Sequence, residues 1–138
     1  MYDASGCVRV TCRVFDSLIA EARAQPNTEC CGLLAGDSNV VSVILRARNA
    51  LASATAYELA PEDLFSLFRC MRDSGLNHLG IYHSHPRTEN TPSSRDIELA
   101  FYPDLAYFIL TPAPQAARPV RAFRITNGHA SELTIELV

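Results

Sequence analysis

The chain has 138 residues, 48% of them hydrophobic and 20% charged, with eight prolines and six glycines; this is the make-up of one folded domain spanning residues 1–138, not of a disordered or fibrous chain. A formal net charge of -3 and a sequence pI near 5.7 give no broad positive field, which argues against nucleic acid or a membrane surface as partner. Residues 1–20 lack a signal-like apolar run, and the apolar stretch 99–110 is interrupted by Pro103 and Asp104, so a cytoplasmic protein without a membrane segment is expected.

In chain order, Val8, Val10 and Cys12 alternate with Arg9, Thr11 and Arg13, the period of a half-buried strand. Phe15, Leu18, Ile19 and Ala22 then follow helical spacing, with Asp16 as candidate cap and Pro26 closing the segment. Residues 30–35 and 40–47 read as two strands around the turn Gly36-Asp37-Ser38-Asn39. Pro61 opens a second helix whose Leu64, Leu67, Phe68 and Met71 form one apolar stripe, expected in the core, and Gly75 is placed to end it. Residues 79–84 make a short strand, 93–101 a short helix and 106–111 a buried strand. Strands at 120–126 and 133–137 flank the turn signal Asn127-Gly128. Helices interspersed among strands predict an α/β or α+β domain, a mixed β-sheet flanked by helices.

Cys7, Cys12, Cys30, Cys31 and Cys70 contain no C-x-x-C pair and are odd in number, which fits a reducing compartment with the thiols as small buried fillers. His78 and His129 stand in polar, turn-like contexts and are expected to be solvated. Arg87 reads as a loop charge with a secondary chance of attracting a substrate carboxylate.

The chemically informative segment is His83-Ser84-His85-Pro86, followed after six residues by Ser93-Ser94-Arg95-Asp96. Imidazoles at i and i+2 on a strand point to one face, and Tyr82 to the other. Asp96, returning on the next helix, can complete a set of two histidines and one aspartate that leaves a fourth tetrahedral position for water. Zn2+ suits such nitrogen and oxygen donors and lowers the pKa of its water from about 16 to about 7. A general base outside that shell must move the proton, and Glu29 is the candidate. Each residue also has a bland reading: incidental histidines, a Ser93/Asp96 helix-capping box, and a solvated Glu29.

Glu29-Cys30-Cys31-Gly32-Leu33-Leu34-Ala35-Gly36 followed by His83-x-His85-Pro86-x6-Ser93-x-x-Asp96 resembles the signature of the JAMM, or MPN-plus, metallopeptidases. Asn49, Tyr57-Glu58 and Pro61-Glu62-Asp63 extend the likeness more weakly, over roughly residues 8–125, and the chain is similar to the family's short prokaryotic branch. The resemblance implies a cytidine-deaminase-like fold, His83, His85 and Asp96 as Zn2+ ligands, Glu29 as acid and base, and Ser93 as donor to the oxyanion. Deaminase chemistry itself would need H-x-E with a later P-C-x-x-C, and the chain has neither.

The substrate class so implied is an amide bond at the C-terminal, often diglycine, tail of a ubiquitin-like or sulfur-carrier protein, cut by a metallopeptidase or isopeptidase. A tail lying along a sheet edge near residues 49–55 is a reasonable location. The alternative is a non-catalytic MPN-type scaffold, which keeps the fold and lacks the ligands. Oligomeric state is not readable from the chain.

Overall fold

A computed structural model describes residues 5–138. In chain order the elements are β1 (Cys7–Val10), α1 (Cys12–Ala24), β2 (Cys31–Gly36), β3 (Val40–Val41), β4 (Val43–Ala47), α2 (Pro61–Asp73), β5 (Asn77–Ser84), α3 (Ser94–Glu98), β6 (Ala106–Leu110), β7 (Val120–Thr126) and β8 (His129–Leu137). The strands form one mixed sheet in the order β3-β1-β8-β7-β6-β5-β2-β4.

The two ends of that order are neighbours in the chain. Residues 40–47, expected as one strand, divide at Ser42: Val40 and Val41 pair in parallel with Arg9 and Val10, whereas Val43–Ala47 runs antiparallel to β2. Ser42 N–H donates to the Ala35 carbonyl at 3.0 Å, so the backbone changes partner across a single residue and the sheet curls until its edges meet.

Helix α1 is capped five residues earlier than Asp16 suggests, at Thr11. Thr11, assigned to the strand by alternation, is the N-cap, and its side chain accepts from Val14 N–H at 3.2 Å. This satisfies one of the orphan donors of the first turn, so Asp16 lies inside the helix with no capping task. Helix α2 starts at Pro61 and ends before Gly75, whose φ of 68° is the left-handed conformation that suits glycine after a helix.

Side chains from the sheet enter two cores. Val10, Leu18, Leu34, Tyr82, Phe108 and Leu110 pack on the α1 face; Leu33, Met71, Ile81, Tyr107, Ile109 and Phe123 pack on the α2 face. Burial on both faces explains why β2 and β6 read as unbroken apolar runs. The α2 stripe is less buried than expected: Met71 is core and Leu64 and Leu67 are partly covered, but Phe68 is 41% exposed. Cys30 and Cys31 are buried fillers as expected, while Cys12 and Cys70 are exposed on the helices. None of the five cysteines is in a disulfide.

Strand β5 is fixed from behind. The Tyr82 hydroxyl donates to buried Glu21 of α1 at 2.5 Å, and Arg46 Nε lies 2.6 Å from the other carboxylate oxygen as an off-axis ion contact. The Tyr82 ring runs beneath Gly32, where an added Cβ would overlap the ring and the Leu45 carbonyl oxygen. Gly32→Ala is therefore expected to destabilise the fold by about 1–3 kcal/mol, the usual range for overpacking, read as a lowered midpoint in thermal unfolding.

Candidate metal centre

Alternation along β5 sends Ile81 and His83 to the α2 face and Tyr82 and Ser84 to the α1 face. His85 follows directly. Its N–H still bonds the Leu110 carbonyl at 2.8 Å, and Pro86, which has no N–H, continues no ladder beyond it. Both histidines are buried, at 2% and 5% exposure.

Their Nε2 atoms face each other at 3.0 Å. His85 Nδ1–H donates to the Glu89 carbonyl at 2.8 Å, which fixes the tautomer and leaves Nε2 with a lone pair turned inward. His83 Nδ1 has no hydrogen-bond partner among the described residues; that ring is held by stacking on Tyr57, with centroids 4.3 Å apart and planes 17° apart.

Asp96 comes from α3. Ser93 caps this helix, accepting from Asp96 N–H at 3.1 Å, while Ser93 N–H donates to Asp96 Oδ2 at 2.9 Å. The same carboxylate reaches both imidazoles, Oδ1 lying 3.2 Å from His83 Nε2 and Oδ2 3.1 Å from His85 Nε2. The capping box thus holds the carboxylate against both imidazoles. The helix is shorter than residues 93–101 suggested, ending at Glu98.

Glu29 precedes β2 and is 4% exposed. Its N–H donates to the Ser53 carbonyl at 2.8 Å, and its carbonyl accepts from Asn49 Nδ2 at 3.1 Å. Asn49 also bonds the Ala56 carbonyl and the Leu51 and Glu58 N–H groups. Residues 49–55 form a loop that follows the end strand β4 and locks the Glu29 backbone.

Two carboxylates compete for the role of third ligand. Glu29 and the imidazoles offer atoms within 4.8 Å of one another, but Asp96 touches both Nε2 atoms directly. Bonds of about 2.0–2.1 Å at tetrahedral angles put donor atoms about 3.3 Å apart; the two Nε2 atoms are 3.0 Å apart, and Asp96 sets Oδ1 3.2 Å from His83 and Oδ2 3.1 Å from His85, so each oxygen faces one imidazole at about that separation. Two neutral imidazole nitrogens and one carboxylate oxygen, with Glu29 just outside, fit a divalent transition metal.

The electrostatics agree. Burial lowers the His83 pKa. Burial would also lower that of His85, but hydrogen bonds to Asp96 and Glu89 outweigh it and raise the group. For Asp96 burial alone would raise the carboxyl, yet the hydrogen bonds from His83 and His85 hold it well below the usual carboxylate range. Glu29 moves the other way. Burial pushes it up to about 7, opposed by His85, reinforced by Asp96 and opposed by Arg95, a value suited to taking and returning a proton near neutral pH.

Beside the cluster runs a mostly apolar groove of about 500 Å³, lined among others by Leu33, Tyr57, Leu64, Phe68, Arg95 and Tyr102. Tyr57 and Arg95 join it to the cluster, through the stacking on His83 and the chain link to Asp96. His78 lines the same groove half-buried, with Nε2 3.0 Å from the Gly80 carbonyl and edge contacts to Phe68 and Tyr102, rather than standing in solvent. On the other side of the His85 loop, Arg87 borders a cavity of about 420 Å³ with Arg118 and Arg121; the latter two are paired with Glu132.

Tyr57, the Glu89 carbonyl and Arg95 are the parts of the site that the residue pattern did not assign a role. Only Tyr57 left a signal, an aromatic residue in the weakly matching Tyr57-Glu58 step; a backbone carbonyl leaves none.

A curled mixed sheet with two histidines at the end of β5 and an aspartate from the following capped helix defines a JAMM/MPN domain. The model for prokaryotic homologs of the JAB domain matches residues 11–126, and the chain belongs to that family. It is 36% identical over 104 residues to a desampylase from Haloferax volcanii, covering 70% of this chain and 75% of the relative. To the CysO-cysteine peptidase of Mycobacterium tuberculosis it is 32% identical over 125 residues, covering 89% and 86%. Among solved structures, a protein from Desulfitobacterium hafniense superposes with a TM-score of 0.81 at 33% identity, covering 95% of this chain and 92% of that one.

Proposed function

We propose that this protein is a zinc-dependent isopeptidase or peptidase that cuts an amide bond at the C-terminal, diglycine-ended tail of a ubiquitin-like or sulfur-carrier protein. The observation carrying the reading is the convergence of His83, His85 and Asp96 at 3.0–3.2 Å, with Glu29 buried beside them. The peptidase relatives support the substrate class. Five intact functional side chains support an enzyme over a scaffold.

In this reading His83, His85 and Asp96 hold Zn2+, which when bound supplies a water of pKa near 7 and a Lewis-acid contact for the scissile carbonyl. Glu29 takes the proton of the attacking water and returns it to the departing amine. The Ser93 hydroxyl accepts from Asp96 N–H through its oxygen, so its own hydrogen is available to the developing oxyanion. The groove at Tyr57 and Arg95 receives the extended tail, because it runs into the cluster and its apolar lining favours a desolvated chain. The chain works as one domain, and its five cysteines without a disulfide support a reducing, cytoplasmic setting.

The test is mass spectrometry of a ubiquitin-like carrier ending in Gly-Gly plus a short extension, incubated with zinc-loaded protein. Cleavage after the second glycine is expected. An intact carrier in the presence of protein holding one zinc would count against this substrate class.

A further inference from the structure

We infer that Ser84, resting on the site as read above, is a positioning residue that sets Glu29 against the two histidines by interrupting the backbone ladder where the cleft opens. The β2–β5 register pairs Gly32 with Tyr82 and Cys31 with His83, so Cys30 stands opposite Ser84 at the next step outward. Ser84 N–H donates to the Cys30 carbonyl at 3.0 Å, which marks this as a hydrogen-bonded pair; such a pair ordinarily exchanges two backbone bonds. The second bond is replaced. Cys30 N–H goes to Ser84 Oγ at 2.9 Å, a buried contact.

Two consequences follow from that exchange. With its carbonyl released from β2, the chain after Ser84 follows β6, His85 N–H bonding Leu110 at 2.8 Å, and the His85 side of the cleft parts from the Glu29 side. At the same time both backbone groups of Cys30, the neighbour of Glu29, are held by the one residue that lies between the two histidines. Ser84 is fully buried and its side chain lies on the α1 face with Tyr82, away from metal and substrate, so it acts only through Glu29 and the histidines. Without the hydroxyl, Cys30 N–H is either left buried and unpaired, which structures avoid, or recovers the Ser84 carbonyl and zips the ladder one step further, drawing Glu29 toward His85.

Isotope-labelled wild-type protein tests the geometry without any substrate: Cys30 N is expected to show no through-hydrogen-bond coupling to the Ser84 carbonyl carbon, and a coupling there overturns the inference. Zinc-loaded Ser84→Ala is expected to bind one zinc as tightly as wild type, with KM unchanged and kcat about 10–100-fold lower, the scale of a displacement of about 1 Å. Its crystal structure should show the Glu29 carboxylate shifted while the three ligands superpose. Ser84→Thr, which keeps the hydroxyl, should restore kcat. Wild-type kcat in Ser84→Ala, or a loss of kcat that follows loss of zinc, would overturn the positioning role, whereas failure of the wild type to cut the carrier bears on the substrate class alone.

Discussion

Exchange of Glu29 for Gln is expected to leave a folded protein that binds zinc and substrate and turns over about 10²–10⁴-fold more slowly, the usual contribution of a positioned acid-base group. The amide keeps the size of the side chain but cannot take the proton of the attacking water, so the loss falls on kcat with KM nearly constant. Steady-state kinetics on the diglycine-ended carrier would check this; a variant within a few-fold of wild-type kcat would remove Glu29 from the mechanism.

The same substitution has a stability signature of opposite sign. Burial raises the Glu29 carboxyl from its ordinary 4.5 to about 7, so the folded state prefers it protonated. That contribution is complete below pH 4.5 and is lost as pH rises through 7, where the buried group must ionise. Metal-free wild type should therefore be less stable than Glu29→Gln at pH 8 by up to about 3 kcal/mol, from roughly 1.36 kcal/mol per unit. The gap should close toward pH 4.5. Zinc, a cation beside the carboxylate, should narrow it at pH 8. Thermal melts at the two pH values, with and without zinc, would show whether the inactive variant is the more stable one.

The second large effect is expected at Asp96. Because its carboxylate both accepts from Ser93 N–H and reaches two imidazoles, Asn and Ala separate the roles. Asp96→Asn retains a capping oxygen but loses the negative charge, so zinc affinity should fall by more than the roughly 10–100-fold typical of groups that only orient a ligand. Activity should fall to background. Asp96→Ala should lose the cap as well and be less stable in metal-free form by about 1 kcal/mol more. Chelator competition and melting curves with added zinc would distinguish the two. Wild type should gain stability with zinc concentration and neither variant should follow.

How much of this was readable from the chain depends on how local each cause is. Pro61, Gly75 and Asn127-Gly128 act within a turn of backbone, and the helix and turn they mark lie where the sequence places them, although the last strand starts directly after the turn, at His129 and not at 133. The β1–α1 boundary is hidden in the sequence because alternation through Cys12 looks the same whether Thr11 is a strand residue or a cap, and only the Val14 N–H contact decides. The division at Ser42 is non-local: Val40 and Val41 leave β2 for partners 31 residues earlier, Arg9 and Val10. The five site residues stood out because their chemistry and spacing are restrictive. The substitution of Ser84 Oγ for a carbonyl, and the stacking of Tyr57 on His83, arise only when separate segments meet.

The curl of the sheet bears on how the protein behaves in concentrated solution. An open sheet has two edges, each a template on which another chain can add by backbone pairing. Here the two end strands both come from residues 40–47, one of them only two residues long, and the outer side of β8 residues 129–133 is a further open stretch, because β1 pairs only with Thr134–Leu137. A strand added in register, whether a misfolded copy or a designed peptide, finds its longest templates in β4 and in the first half of β8. A lysine or proline on the outward side of β4 would thus guard one of these two templates against edge-to-edge self-association, and Glu132 already places a charge on the other.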